Sequence, residues 1–397
     1  MQPLAVTQFC LVSCLGAGEA ATVSALRQGR SGLVPSVFDA ASVRTYVGEV
    51  SGLDALSLPD GLAGFDCRNN RLAAMALEQN GFRQAVEAAC ERYGAHRIGL
   101  FVGTSTSGLL QSELAYHRRD PTTGALPADF DYARTHNFYS LGEFVRTYLK
   151  LKGPSFVVSA ACATTAKVFG NAARMIAAGV CDAAIVGGTD TLCGTTLHGF
   201  RSLNLLSDEP CRPFDAERSG ISIGEAAAFV LLEKSPANDH PDAVLMLGVG
   251  ESSDAFHMSS PHPDGTGARM AMEAALQAAS LTPAQIDYIN LHGTATFVGD
   301  ATEDRAIAEL FGSRVPCSST KGYTGHTLGA AGVLEALISY LSILHGFVPG
   351  SPHTRTIDPS FKSQFVLETT ALRVDRILSN SFGFGGVNCS LLFGRAA

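Results

Sequence analysis

Apolar runs that end in glycine, each followed by an alanine-rich segment of helical period, recur along the whole chain. Glycine-bounded apolar runs of four to eight residues are read as buried strands, and spacing of three to four as amphipathic helix, so the pattern predicts an α/β fold. Leu4 to Val12 reads as a strand and Glu19 to Gly29 as the helix after it, while Ile98 to Gly103 is a buried strand running into the small-residue turn Thr104 to Gly108. Further strands are predicted at Ser155 to Ser159, Ala183 to Val186 and Ala227 to Leu232. The polar, Pro-containing stretch Ser235 to Asp242 follows a finished strand, and the alternation restarts beyond it. Strands are predicted there at Asp242 to Gly250, Ile286 to Leu291, Arg376 to Ser381 and Cys389 to Phe393, with helices at Ala268 to Ala279, Thr302 to Leu310 and Gly329 to Leu344. The pattern divides the chain into two halves, 1–241 and 242–397, and points to a duplicated unit, although no residue-level repeat of fixed period is visible. Asp120 to Tyr139, richer in Pro, Asp, Thr and aromatics, breaks the rhythm and is expected to cap a pocket or pair subunits.

Composition narrows the class. With 397 residues, 46% hydrophobic and 17% charged, the chain can bury a large core, and intrinsic disorder is excluded. A formal charge of -8 argues against nucleic acid or an anionic membrane as a partner of the chain as a whole. The ten cysteines form no Cys-x-x-Cys pair and no framework spacing, so reduced thiols and a cytoplasmic setting are expected. Met1 to Gly18 carries no Lys or Arg ahead of its apolar stretch, and Gln2, Gln8 and Ser13 interrupt it, which disfavours a signal peptide. Val333 to Val348, the most apolar later stretch, contains Glu335, Ser339, Ser342 and His345 and is read as too polar and too short to span a membrane.

Four clusters carry candidate chemistry. In Val157 to Thr165 a β-branched strand turns through small residues into a predicted helix that Cys162 would open, where the helix dipole and free N–H groups favour thiolate and could bind an oxyanion. An inert core thiol and a nucleophile both remain open for Cys162 on that context. Asn290 to Thr296 ends a strand with His292 beside a glycine and hydroxyls, at the kind of strand terminus where α/β sites form. Ser318 to Gly332 combines Lys321, His326 and several glycines ahead of an Ala-rich helix whose Glu335 could pair with the ammonium. Asn380 to Asn388 is a Gly-Phe-Gly-Gly turn between two strands, able to present backbone amides. No spacing of a phosphate-binding glycine loop opens a helix.

In this order the clusters resemble the β-ketoacyl-acyl carrier protein synthases, elongating-type condensing enzymes of the thiolase superfamily. The likeness runs from Val6-Thr7 through Arg212-Pro213-Phe214-Asp215, Gly220 and Gly224-Glu225-Ala226 to the Gly-Phe-Gly-Gly turn, nearly the whole chain. It implies a thiolase-like α/β fold of five layers, αβαβα, built from two pseudo-repeated halves and normally dimeric. It also implies that Cys162 accepts an acyl group as a thioester and that His292 and His326 stabilise the enolate left when malonyl-carrier protein loses carbon dioxide. Lys321, held by Glu335, would position the histidines, and the amides of Cys162 and Phe384 would form the oxyanion hole. Thr294 and Thr296 resemble the hydroxyls that hold the pantetheine arm. Phe200, Thr106 and Phe384 are expected at the acyl pocket, with Phe384 as its gate.

Two positions depart from the family pattern: Phe297 stands where Pro is frequent, and Thr106 where an apolar residue or Gly is frequent. Asp190 to Cys193 and Arg218 to Glu225 look closer to synthases of aryl-polyene pigment clusters. The implied reaction is elongation by two carbons in type II fatty-acid synthesis, with an aryl-polyene or polyketide pathway as the alternative and a non-catalytic partner resembling a chain-length factor as a second. A degradative thiolase is disfavoured, since that resemblance would imply a Cys/His/Cys site. The expected partners are acyl carrier protein and, in the dimer, an identical chain or a chain-length-factor-like one. Arg68, Arg71, Arg118 and Arg119 are candidates for carrier docking. No cofactor is expected, and no metal site, because the histidines stand apart in sequence from thiol or carboxylate neighbours at ligand spacing.

Overall fold

The computed structural model describes all residues except 37, 39–42, 235–242 and 396–397, so the boundary segment Ser235 to Asp242 lies outside the described residues. The apolar runs form the strands β1 (Leu4–Ser13), β2 (Ile98–Gly103), β3 (Ser155–Val158), β4 (Ala183–Asp190) and β5 (Ala226–Lys234). In the second half they form β6 (Val244–Ser253), β7 (Tyr288–Asn290), β8 (Pro316–Ser318), β9 (Gln364–Phe365), β10 (Arg376–Gly383) and β11 (Val387–Arg395). The strand order is β3-β2-β4-β5-β1 in the first half and β8-β7-β10-β11-β6 in the second, with β9 added outside β8. In each half the first two pairings of that order are parallel and the last two antiparallel. Identical order and sense in both halves display the duplication that no residue-level repeat reveals. The halves join where β1 meets β6 antiparallel, Leu4 opposite Met246.

Helices cover the sheets: α1 (Gly18–Arg27), α2 (Arg68–Leu77), α3 (Leu109–His117), α4 (Tyr139–Tyr148), α5 (Thr164–Ala177), α6 (Gly194–Ser202), α7 (Thr266–Ala279), α8 (Phe297–Phe311) and α9 (Ala331–His345). α2 and α4 pack on one side of the first sheet and α7 with α8 on the outer side of the second, while α5 and α9 touch each other between the sheets. Sheets with helices outside and between make the five layers of the thiolase-like fold. Because α9 lies in that middle layer it is buried on nearly every side. Leu328–His345 has the length and hydropathy of a membrane span, yet 83% of it is buried in protein, as a core helix of a layered α/β fold must be. The excursion Asp120 to Tyr139 lies over the turn after β2: Ser107 Oγ donates to the Asn137 carbonyl at 3.1 Å, and Gly108 sits so close to the Thr135 carbonyl that a Cβ there would lie 1.8 Å from its oxygen.

Candidate active site

After β3 the chain turns sharply before α5, and Ala161 at the turn's crest has φ +46°, a left-handed conformation that a non-glycine residue adopts only when its surroundings hold it. Thr164 does so, its Oγ accepting from the Ala160 amide at 2.7 Å and donating to the Ala161 carbonyl at 2.6 Å. Cys162 therefore stands two residues ahead of α5 instead of opening it. The expectation of a dipole-stabilised thiolate is corrected accordingly. Burial pushes the thiol up to about 11, and the nearby Lys321 charge and Phe384 amide only partly oppose it.

His326 Nε2 lies 2.9 Å from Cys162 Sγ. Its backbone is clamped to a short strand of the first half, with its amide donating to the Ser222 carbonyl at 2.7 Å and its carbonyl accepting from Gly224 at 3.0 Å. Gly325 at φ +70° makes the approach possible, since a Cβ there would lie 2.9 Å from the Gly224 nitrogen. Burial, then the Lys321 charge, hold the His326 imidazole well below its ordinary range, so thiol and imidazole face each other uncharged. His326 Nδ1 is buried without a hydrogen-bond partner among the described residues.

His292 follows β7 and is presented by two carboxylates from α8. Glu303 accepts from the amides of His292 (2.8 Å) and Gly293 (2.7 Å), and Asp300 from those of Thr294 (3.0 Å), Ala295 (3.1 Å) and Phe214 (2.7 Å). Both acids are buried, which pushes Asp300 up to about 7 and raises Glu303 against the pull of its amides. Sequence reasoning missed them, because the helix was expected to begin at Thr302 and acidic residues on a helix read as solvated. The available signal is their spacing of three on the buried face of α8, the face that also carries Ala306 and Ile307.

Lys321 is 1% exposed, and its Nζ donates to Glu335, to the His292 carbonyl and, at 3.4 Å, toward His292 Nδ1. Burial pushes the Glu335 carboxyl up to about 7 against the neighbouring ammonium. A donor at Nδ1 places the ring proton of a neutral His292 on Nε2, and burial followed by the charge of Lys321 keeps that ring neutral. The two imidazoles are nearly perpendicular, centroids 5.4 Å apart. One ligand-type atom from each of Cys162, His292 and His326 lies within 4.8 Å of the others. The separation in sequence that argued against a metal site is thus absent in space: the fold brings thiol and imidazoles together across 130 residues and more.

The turn between β10 and β11 closes the site. Gly383 rests against the turn that carries Cys162, where a Cβ would lie 3.1 Å from the nitrogens of both Cys162 and Ala163, and the Phe384 amide points at the Cys162 sulfur. A cavity of about 300 Å3 opens from the thiol and is lined by Phe200, Leu205, Ile221 and Phe384, with Thr294 and Thr296 on the way out. The Phe200 and Phe384 rings stand 5.9 Å apart, and the two Thr hydroxyls 3.0 Å apart. Phe297, 62% exposed at the mouth, is propped by the guanidinium of buried Arg218 at 5.1 Å.

Two expectations are corrected. Thr106 does not line the cavity: it is 2% exposed, its hydroxyl donating to Asp190 at 2.9 Å and accepting from the Thr191 amide at 3.2 Å. Arg68 cannot dock a carrier protein, because it is buried in α2, paired with fully buried Glu225 through two bonds (3.0 and 2.6 Å) and with Asp54 at 2.8 Å. Arg71 is half-buried against Asp66, whereas Arg118, paired with Asp129, and Arg119 are exposed.

Residues 1–237 match the family described as Beta-ketoacyl synthase, N-terminal domain, and residues 243–355 its C-terminal domain. A 3-oxoacyl-(acyl-carrier-protein) synthase 2 of Coxiella burnetii is 35% identical over 413 residues, spanning 98% of both chains. A mitochondrial 3-oxoacyl-(acyl-carrier-protein) synthase of Arabidopsis thaliana is 42% identical over 260 residues, 61% of this chain and 56% of that one. Among solved structures, a ketosynthase of Xenorhabdus doucetiae in complex with its chain length factor has a TM-score of 0.90 and 37% identity, covering 100% of this chain and 98% of that one. The ishigamide ketosynthase/chain length factor gives 0.89 and 28%, with both chains fully covered.

Proposed function

The chain belongs to the β-ketoacyl synthase family, and from that membership we propose that it elongates carrier-bound acyl chains by decarboxylative condensation with malonyl-carrier protein, using Cys162, His292 and His326. The observation that carries the assignment of residues is the 2.9 Å contact of Cys162 Sγ with His326 Nε2 beside a His292 oriented by Lys321.

In the first step Sγ attacks the carbonyl of an acyl thioester while its proton passes to His326 Nε2. The amides of Cys162 and Phe384 receive the developing oxyanion. Collapse expels the pantetheine thiolate, which takes the proton back from His326, and the acyl group stays on Cys162. In the second step the thioester carbonyl of malonyl-carrier protein accepts from the imidazoles. Loss of carbon dioxide leaves an enolate whose negative oxygen is stabilised by the Nε2–H of His292, held in that tautomer by Lys321. Among the described residues none bonds His326 Nδ1 and fixes its tautomer: it accepts from the thiol in transfer and donates to the enolate in condensation. The carbanion then attacks the acyl-Cys162 carbonyl, the same amides hold the oxyanion, and collapse releases a β-ketoacyl thioester and expels the Cys162 thiolate, which takes one proton from solvent to restore the thiol. These steps transfer protons and acyl groups and release carbon dioxide without a redox change, so they call for no redox cofactor, and a reducing, cytoplasmic compartment suits ten free thiols.

β3 is the edge of the sheet and carries Phe156 with 47% of its surface exposed, an open edge suited to a second subunit. The likeness to ketosynthases solved with chain length factors supports a related, non-identical subunit there, and with it the polyene or polyketide setting as a second reading beside fatty-acid synthesis. The test is to incubate the purified chain with malonyl-carrier protein and saturated, polyenoic and aryl acyl-carrier proteins, following intact mass and product. Acylation lost in Cys162→Ala supports the reading, and the chain that is extended identifies the setting. No acylation by any donor, alone or with a co-expressed chain length factor, overturns it in favour of a non-catalytic subunit.

A further inference from the structure

Asp190, the last residue of β4, is fully buried and accepts six hydrogen bonds. Oδ1 receives the Thr104 hydroxyl (2.7 Å), the Ser105 and Thr106 amides (2.7 and 2.8 Å) and the Thr106 hydroxyl (2.9 Å). Oδ2 receives the Ser105 hydroxyl and, across the junction between the halves, the Gly329 amide at 2.6 Å. None of these donors carries a formal charge. Gly329 lies three residues beyond His326, and between them Leu328 has φ +55°, a strained conformation for a side chain branched at Cγ that persists only where its surroundings over-determine it. What over-determines it is the grip on Gly329. Its amide is held by Asp190, and its carbonyl accepts from Thr165 Oγ1 at 2.6 Å, the same hydroxyl accepting from Val333 at 2.9 Å. Thr165 belongs to α5, three residues after Cys162. Residue 329 must be glycine for the carboxylate to fit, since a Cβ would lie 2.7 Å from Asp190 Oδ2.

We infer that Asp190 is a positioning residue for the condensation: with Thr165 it fastens the far end of the His326 loop to the end of β4 and to the helix that follows the nucleophile, and so sets the distance between imidazole and thiol. The near end is already held by Ser222 and Gly224. Releasing the far end lets the Leu328 turn relax and His326 retreat from Cys162, and a misplacement on the order of 1 Å costs roughly 100-fold in such a step. The inference rests on the reading of Cys162 and His326 given above.

The test compares the wild-type chain with Asp190→Asn and Thr165→Val in three readouts: acyl transfer to Cys162, decarboxylation of malonyl-carrier protein, and alkylation of Cys162 by iodoacetamide. In Asp190→Asn both partial reactions should fall roughly 100-fold with little change in KM for the carrier proteins. Alkylation should rise at fixed pH, because after burial the Asp190 charge is among the causes holding the thiol up. A merely loosened structure does not produce that opposition of faster alkylation and slower turnover. Thr165→Val removes the second clamp without changing charge, so turnover should fall about tenfold with alkylation unchanged. It also decides the matter if Asp190→Asn does not fold. Turnover of Thr165→Val within twofold of wild type, or parallel loss of alkylation and turnover in Asp190→Asn, overturns the inference. A wild-type chain that is never acylated overturns the functional reading instead.

Discussion

The neutral thiol–imidazole pair makes a quantitative prediction for the reactivity of Cys162 against pH. Burial puts the thiol at about 11, against an ordinary cysteine near 8.5, so at pH 7.5 about one molecule in 3,000 carries the thiolate, where a free cysteine has about one in ten. The loss of thiolate is roughly 300-fold. The more basic thiolate is intrinsically the better nucleophile, and a Brønsted coefficient of 0.4–0.5 over about 2.5 units restores a factor of 10 or slightly more. Alkylation of Cys162 at pH 7.5 should therefore run about 20- to 30-fold slower than that of a free cysteine, before any restriction of access. The assay is iodoacetamide labelling at pH 6 to 10 with the Cys162 peptide quantified by mass, because nine other cysteines are present. The expected logarithmic slope is one per pH unit with no plateau below pH 10. A rate that is flat between pH 6 and 9 would refute the reasoning, since it would mean that the proton already resides on His326 and that the resting pair is thiolate and imidazolium.

Three further outcomes follow from the geometry. Lys321→Ala leaves Glu335 buried without its cation and should destabilise the chain by about 3–5 kcal/mol; in calorimetry Lys321→Met with Glu335→Gln should unfold at a higher temperature than Lys321→Met alone, and decarboxylation should fall further than acylation in both. Gly383→Ala places a methyl 3.1 Å from the Cys162 and Ala163 nitrogens, so single-turnover acylation should drop about 100-fold while the melting temperature stays near wild type. Arg68→Ala strips the partner from buried Glu225 and should cost about 3–5 kcal/mol in denaturant titration; weakened carrier-protein affinity with unchanged stability would restore Arg68 as a docking residue.

Sequence alone determined a good deal of this protein. Periodicity located the strand Ile98–Gly103 to the residue, α7 and α9 to within about two residues, and the restart of the alternation in the second half. The chemistry of side chains in small-residue turns singled out Cys162, His292, Lys321 and His326, and the spacing of Lys321 from Glu335 proved to be a real contact. Only the tertiary structure decided what those groups can do together. Cys162 meets His326 across 164 residues because each stands just ahead of a middle-layer helix, α5 or α9, and those helices pack on each other, an arrangement that no local window contains. Asp300 and Glu303 escaped notice, Asp190 was given no structural part beyond its likeness to one subgroup, and Arg68 was misread as a docking residue, for one reason. A charged side chain reads as solvated from its own sequence, and becomes a buried hub only when backbone amides or an opposite charge from distant segments converge on it and replace the water it gives up. Thr106 was misplaced in the same way, its hydroxyl claimed by such a hub instead of by the cavity. Patterns of apolar residues report which face of each element is buried, and it is the packing of those elements that sets which polar groups are buried together.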